Sequence, residues 1–361
     1  MEETKGLRWI HGVLAFSLAM LVLLFGGYVL IPLFGKVGAF LAGAVIALIG
    51  VVFTMLTKTK WSAVLPHEMP PIRRFFGGVF FYISIVMLNG IYSVLTSSFL
   101  QGDARQDMVS SIVTALPPAA SILLVAVLPA LCEEFFCRGF LMHCFRGVKK
   151  DWLVILITAC CFGVMHLDVY TFVPSAMIGA LFGYLALRTH SLVIPILLHF
   201  INNAFSVVLS YLSAEEASEE ASSSLLMQNV GQKAGMILFY FGIGLLCFCL
   251  GYRLFHGKKL FIKRGVGIVI LCFLLTCGGC GIMTASSIEI VYNETQTVSY
   301  RDAMEVTIPL SLEAGNYSFV VTASAEDPIE IVVISAEDPE GKPLAITAIQ
   351  SRPQMNEMLT L

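Results

Sequence analysis

Long apolar runs recur along this chain and constrain its fold more than any other feature. About 20 consecutive apolar residues in a helix are enough to cross the hydrocarbon core of a bilayer, and the sequence contains nine such runs. They lie at about 9–34, 37–56, 75–100, 119–142, 152–167, 171–188, 192–212, 235–254 and 265–286. Charged residues make up only 13% of the chain, against about a quarter in soluble domains. We therefore predict an all-α polytopic membrane protein with about nine transmembrane helices, of which the fifth and sixth are the shortest.

Basic residues are concentrated in alternate loops, and this pattern predicts the orientation of the chain. Lys and Arg in short loops favour the cytoplasmic side of a membrane. The N-terminal segment and the loops after the second, fourth, sixth and eighth runs carry them, whereas the loop after the seventh run is acidic. We expect a multi-pass protein of a bacterial plasma membrane, with a cytoplasmic N-terminus and an extracytoplasmic C-terminal domain.

The C-terminal segment 287–361 differs from the rest of the chain in charge and in pattern. It holds twelve acidic and three basic residues, a net charge of −9, whereas the preceding 286 residues have a net charge of +6. Short β-branched and aromatic runs bounded by turn residues are typical of strands in small sandwiches. These runs are 288–292, 304–308, 317–321 and 329–333. We predict two domains, a membrane-embedded helical domain at 1–286 and an all-β, sandwich-like domain at 287–361, which either binds substrate or packs on the membrane domain as an appendage.

Three ionisable residues lie inside the fourth apolar run, in the sequence Glu133-Glu134-x-x-x-Arg138. A charge at the centre of a membrane helix costs at least about 2.5–3.5 kcal/mol, so such residues are candidates for a functional site. On a helix Glu134 and Arg138 are neighbours four residues apart and are expected to pair. Glu133 lies about 100° round the helix from Glu134 and is left to act as a general base. The alternative is a purely structural ion-pair cluster between helices.

Two histidines and an asparagine follow in the fifth and seventh runs. Phe162 precedes His166 by four residues, so its ring is expected to lie against the imidazole. His199 and Asn203 are also four residues apart, and both can donate hydrogen bonds to an oxyanion. Taken alone, each histidine could be a satisfied core residue. Together with the carboxylates, at comparable depths of roughly 10–20 Å by the helical rise, they indicate a hydrolase.

The three patterns resemble those of the CPBP family of intramembrane proteases, which includes CAAX proteases and bacteriocin-processing enzymes and is also called the Abi family. Its motifs Glu-Glu-x-x-x-Arg, Phe-x-x-x-His and His-x-x-x-Asn/Asp occur in this order on successive membrane helices. Here Glu133-Glu134-x-x-x-Arg138, Phe162-x-x-x-His166 and His199-x-x-x-Asn203 match them. The resemblance covers a protease core at about 115–210, roughly a quarter of the chain.

The resemblance implies a type II CAAX prenyl endopeptidase-like activity. Glu133 with His166 would activate a water, His199 with Asn203 would hold the oxyanion, and Glu134, Arg138 and Phe162 would support them. Family members are described both as metalloproteases and as glutamate-dependent proteases. Zinc could bind Glu133, His166 and His199, because a catalytic zinc needs three protein ligands. No helix carries the His-Glu-x-x-His pattern of zinc proteases, and we favour the glutamate and water without a required cofactor.

Two other functions remain open from the sequence. One is a non-catalytic scaffold or immunity protein of the same fold, which would sequester a partner. The other is a transporter, for which intramembrane carboxylates and histidines are also usual. We expect the partners to be a peptide or membrane-protein substrate and the lipid bilayer. No nucleic acid is expected, because the basic loops are explained by orientation, and the sequence does not indicate an oligomeric state.

Overall fold

The computed structural model describes residues 6–97, 113, 116–215, 230–257, 262–287, 318–321 and 357–360. The chain divides into two compact units, Met1–Ile290 and Val291–Leu361. In the described part of the first unit, the secondary structure is helical. Its helices are α1 Trp9–Phe34, α2 Gly38–Leu56, α3 Trp61–Val64, α4 Ile72–Thr96, α5 Pro118–Cys144, α6 Asp151–Val164, α7 Val169–Thr189, α8 Val193–Glu215, α9 Val230–His256 and α10 Ile262–Ser287.

Seven of the described helices are long and apolar enough to cross a membrane. Each of the nine apolar runs contains a helix, but two of the apolar helical segments are shorter, Phe40–Leu56 within α2 and Asp151–Val164 in α6. The expected count of nine spanning helices is therefore not confirmed. The fifth run is short as expected: α6 has 14 residues, about 21 Å of helix against a hydrocarbon core of about 30 Å. The sixth run differs from the expectation of a short helix, since α7 has 21 residues.

Helix α5 has the largest buried share of the seven long apolar helices and departs twice from α-helical geometry. Ile122–Val127 and Phe135–Leu141 are π-helical, a wider winding that is rare and is frequently found at functional sites. The second stretch begins directly after Glu134, and all seven of its residues are buried. Phe136 and Phe140 stack within it and belong to a core that also includes Phe162. The C-terminal half of α5 is therefore held firmly by packing on every side.

Glycines bring α4 and α9 into close contact. A β-carbon added at Gly77 would lie 2.7 Å from the backbone nitrogen of Phe255, and one added at Gly251 would lie 3.0 Å from the carbonyl oxygen of Gly77. Small residues let membrane helices approach closely, and packing of this kind drives their association in lipid. Helices α4 and α9 therefore pack closely along these glycines.

In the second unit the structure describes two strands, β1 Ser318–Val321 and β2 Glu357–Thr360. They pair antiparallel, with Ser318 opposite Thr360 and Val321 opposite Glu357. The strand expected at 317–321 thus coincides with β1, whereas β2 falls outside all of the expected strands. The other expected strands lie outside the described residues, and the sandwich-like domain remains a prediction.

We predict that Gly251→Ala lowers the melting temperature of the detergent-purified protein. The added methyl group would lie 2.9 Å from the Phe81 ring, and overpacking of this kind costs about 1–3 kcal/mol. Gly281→Ala is the matched control, because a β-carbon at Gly281 meets no atom within 4 Å. Equal melting temperatures for the two variants would contradict the close packing of α4 against α9.

Candidate active site

A buried ion pair joins Glu134 and Arg138 on α5. Arg138 Nη1 lies 2.7 Å from Glu134 Oε1, and the two side chains are 1% and 0% exposed. Arg138 Nη2 donates a second hydrogen bond to the carbonyl oxygen of Gly179, at 3.1 Å. The guanidinium also lies over the rings of Phe162 and Phe182, 4.4 and 5.4 Å from their centroids. The structure therefore contains the ion pair that the helical spacing predicts and encloses its cation between two aromatic rings.

His199 on α8 shares the same carboxylate oxygen. Its Nδ1 lies 2.8 Å from Glu134 Oε1. An ionised carboxylate only accepts hydrogen bonds, so Nδ1 carries the proton and donates it. The other ring nitrogen, Nε2, then lies 3.9 Å from Glu133 Oε2. Glu134 thus fixes the orientation of the imidazole, as carboxylates commonly do for functional histidines.

Glu133 is the more accessible of the two adjacent carboxylates. Its side chain is 24% exposed, whereas that of Glu134 is fully buried. The 3.9 Å between Glu133 Oε2 and His199 Nε2 is too long for a direct hydrogen bond but short enough for one water to bridge both atoms. The arrangement can therefore hold a water against a carboxylate and an imidazole nitrogen at once.

His166 lies in the turn after α6. The sequence had instead suggested a position within a helix. The helix ends at Val164, and Leu167 has a positive φ of 54°. The Nδ1 of His166 donates a hydrogen bond to the carbonyl oxygen of Phe162, at 2.9 Å. The Phe162 ring contacts His166 and His199 edge-on, with centroids 5.0 and 5.9 Å apart. Phe162 therefore connects the two imidazoles.

Asn203 takes part in a chain of hydrogen bonds between helices. Its Nδ2 donates to the carbonyl oxygen of Val125, at 3.1 Å, in the first π-helical stretch of α5. Its Oδ1 accepts from Asn202 Nδ2 at 3.0 Å, and Asn202 Oδ1 accepts from the hydroxyl of Tyr82 at 2.7 Å. The sequence suggested an amide aimed at an oxyanion. In the structure, one N–H of the Asn203 amide bonds to α5 and so joins α8 to it. Only the second N–H of this amide is left to donate to an oxyanion.

Sequence reasoning missed several residues that build this site. Gly179 and Phe182, three residues apart on α7, enclose Arg138. Asn202 stands next to a candidate residue and could have been noticed on that ground. Tyr82 has no sequence signal, because its role arises only where α4 packs beside α8. Asp168 accepts hydrogen bonds from the backbone nitrogens of Tyr170 and Thr171 and caps α7.

The metal-binding potential of the site can be judged from its donor atoms. Among the residues that the structure describes, no three His, Cys, Asp or Glu side chains come together as a metal-binding group. In the set Glu133, His166 and His199, each histidine has Nδ1 on a protein oxygen, which is how the imidazoles of metal-bound histidines are usually oriented. Zinc on these three residues stays a prediction, and the reaction below is derived from the side chains alone.

Fold and site together define a multi-pass membrane protein with a hydrolase-like centre on helices α5, α6 and α8. Residues 115–205 match the family described as type II CAAX prenyl endopeptidase Rce1-like. This match lies within the core expected at 115–210 and supports the resemblance to CAAX-type proteases over that part of the chain. Neither the curated proteins nor the solved structures contain a match to the chain.

We predict that the double variant Glu134→Gln/Arg138→Met melts at a higher temperature than either single variant. Each single change leaves one buried charge unpaired, which costs about 3–5 kcal/mol, whereas removing both charges can be nearly neutral. Thermal unfolding in one detergent measures all three variants beside the wild type. A double variant less stable than both singles would show that the pair is not the buried unit described here.

Proposed function

We propose that this protein is an intramembrane endopeptidase that hydrolyses a peptide bond in a membrane-associated peptide or protein. The observation that carries the proposal is the accessible Glu133 carboxylate facing His199 Nε2 at 3.9 Å, with the imidazole held from behind by buried Glu134. A base beside an oriented hydrogen-bonding group is what water-mediated hydrolysis requires. The match to a family of CAAX-type proteases supports the same conclusion.

In the proposed reaction Glu133 takes a proton from a bound water while the water oxygen bonds to the substrate carbonyl carbon. His166 would help position the water. The carbonyl oxygen becomes an oxyanion, to which His199 in its doubly protonated form donates from Nε2 and Asn203 from its second N–H. Glu133 then passes its proton to the leaving nitrogen as the C–N bond breaks. In the tetrahedral intermediate the attacking oxygen and the oxyanion are bonded to the same carbon. The short distance between Glu133 and His199 therefore lets each side chain reach one of these two oxygens.

Burial of the supporting charges strengthens the proposal for an enzyme over a scaffold. Electrostatic stabilisation is effective when donors are fixed in advance in an environment with little water. Glu134, Arg138 and His199 are fixed in this way, and Glu133 beside them is accessible. A protein that only sequesters a partner has no need for an accessible carboxylate against an oriented imidazole.

The substrate and the orientation are part of the proposal. A prenylated CAAX end, a leader peptide and an envelope protein all present a peptide bond close to a membrane anchor, and we propose that this proximity brings the bond to Glu133. We propose a cytoplasmic N-terminus, an extracytoplasmic C-terminal domain and a bacterial plasma membrane, because basic loops alternate along the chain.

We predict that Glu133→Gln lowers kcat/KM for peptide cleavage by at least about 100-fold, since general-base catalysis contributes about 10²–10⁴-fold. The measurement is hydrolysis of a quenched fluorescent peptide library by detergent-purified protein. The amide keeps the shape of the side chain, so the melting temperature is expected to stay unchanged.

Glu68→Gln is the control for this measurement, because it makes the same chemical change at an exposed position in the loop before α4. It is expected to retain wild-type activity. Equal hydrolysis by wild type and Glu133→Gln would remove Glu133 from the role of base and point to a contaminating protease.

We also predict that exhaustive chelation leaves the cleavage rate unchanged. In the reaction proposed here, Glu133 and the two imidazoles activate the water and hold the oxyanion without a metal. The assay compares chelated protein with chelated protein to which Zn²⁺ has been returned. Loss of activity that only Zn²⁺ restores would overturn the glutamate mechanism in favour of a metalloprotease.

A further inference from the structure

A basic pocket lies at the ends of three helices, formed by residues other than those of the proposed active site. The N-terminal end of α4 and the C-terminal ends of α7 and α9 meet there. The pocket is lined by Arg73, Arg74, Arg188, Phe255 and His256, and its volume is about 320 Å³. Small-molecule sites occupy about 300–1,000 Å³, so this pocket suits a head group or a small anion better than a lipid chain.

The three arginines of the pocket have no carboxylate partner in the part of the chain that is described. Every salt bridge found there involves Glu133 or Glu134, and the pocket lining contains no carboxylate. Three guanidinium groups close together repel one another unless an anion lies between them. Arginine also favours phosphate, because its planar fork of donors matches the phosphate oxygens.

Arg74 is the best-defined member of the lining. Its Nη1 donates to the carbonyl oxygen of Arg188, at 3.2 Å, near the end of α7. Its Cζ lies 5.9 Å from the centroid of the Phe255 ring. Capping a helix end in this way uses one of the five N–H donors of a guanidinium. The Nε of Arg74 is buried and has no protein acceptor, so capping alone does not account for the side chain.

Backbone features of the helix ends also suit an anion. Helix α4 begins after Pro71 with no side-chain cap and no acidic residue in its first turn, and the free N–H groups of a helix N-terminus attract negative charge. Gly257 follows α9 with a φ of 64°, and a side chain at this position would overlap the Arg73 guanidinium. A glycine here lets Arg73 lie across the end of α9.

We infer that this pocket binds a phosphate group, carried by the head group of an anionic phospholipid in the surrounding bilayer. The helix ends of a membrane protein lie at the level of the lipid head groups. Basic pockets between membrane helices on the cytoplasmic side are suited to anionic head groups, and the loops beside these helix ends are basic in sequence. The pocket would hold the bundle of α4, α7 and α9 against one leaflet.

The test is a titration of the full-length, detergent-purified protein with short-chain phosphatidylglycerol, short-chain phosphatidylcholine and inorganic phosphate. The pocket variant is Arg73→Gln/Arg188→Gln, which leaves Arg74 in place. The control is Arg146→Gln/Lys149→Gln, which removes the same charge at two exposed positions outside the pocket. Unchanged melting temperatures would establish that both variants are folded.

We expect the pocket variant to bind phosphatidylglycerol about 100-fold more weakly than wild type, about tenfold for each guanidinium removed, with the control unchanged. Equal binding by the pocket variant and the control would overturn the site. Equal affinity of the wild type for phosphatidylcholine would overturn recognition of an anionic head group. Inorganic phosphate could bind the wild type as tightly as phosphatidylglycerol and fail to bind the pocket variant. This result would support the phosphate site and overturn the lipid as the source of the phosphate.

Discussion

One oxygen atom, Oε1 of Glu134, accepts hydrogen bonds from Arg138 on its own helix and from His199 on another, at 2.7 and 2.8 Å. The arginine pairs with this buried carboxylate, and the carboxylate oxygen, as an acceptor, determines which nitrogen of His199 carries the proton. The second nitrogen of the imidazole is thereby aimed at Glu133. Removing the arginine would leave a buried charge unpaired, so the arrangement depends on all three side chains together.

The surrounding helices hold this contact in place. Arg138 is enclosed by Phe162 and Phe182 and bonded to Gly179, so α6 and α7 both limit its movement. Two π-helical stretches flank the glutamates on α5, and the Val125 carbonyl in the first accepts a hydrogen bond from Asn203 on α8. The helices thus support the site from several directions, which is what catalytic groups need to remain in productive geometry.

The pairing of Glu134 with Arg138 could be predicted from the sequence, because helical spacing alone brings residues four apart together. The contact between Glu134 and His199 could not, because it depends on how α8 packs against the π-helical part of α5. The hydrogen-bonded series from Tyr82 to Asn203 could not be predicted either, nor could the contact between Arg74 and Arg188. In the sequence, these two arginines indicated only how the chain is oriented in the membrane. The short α6 leaves His166 in a turn, which apolar run length alone does not reveal.

The protonation state of the His199 imidazole tests the central claim most directly. In protein labelled with ¹⁵N-histidine, the nitrogen chemical shifts distinguish the two neutral tautomers, and the loss of signals in His199→Gln assigns them. We predict a protonated Nδ1 and a bare Nε2 for His199 in the neutral ring. A neutral ring protonated on Nε2 would contradict the hydrogen bond to Glu134 and, with it, the orientation of the imidazole towards Glu133.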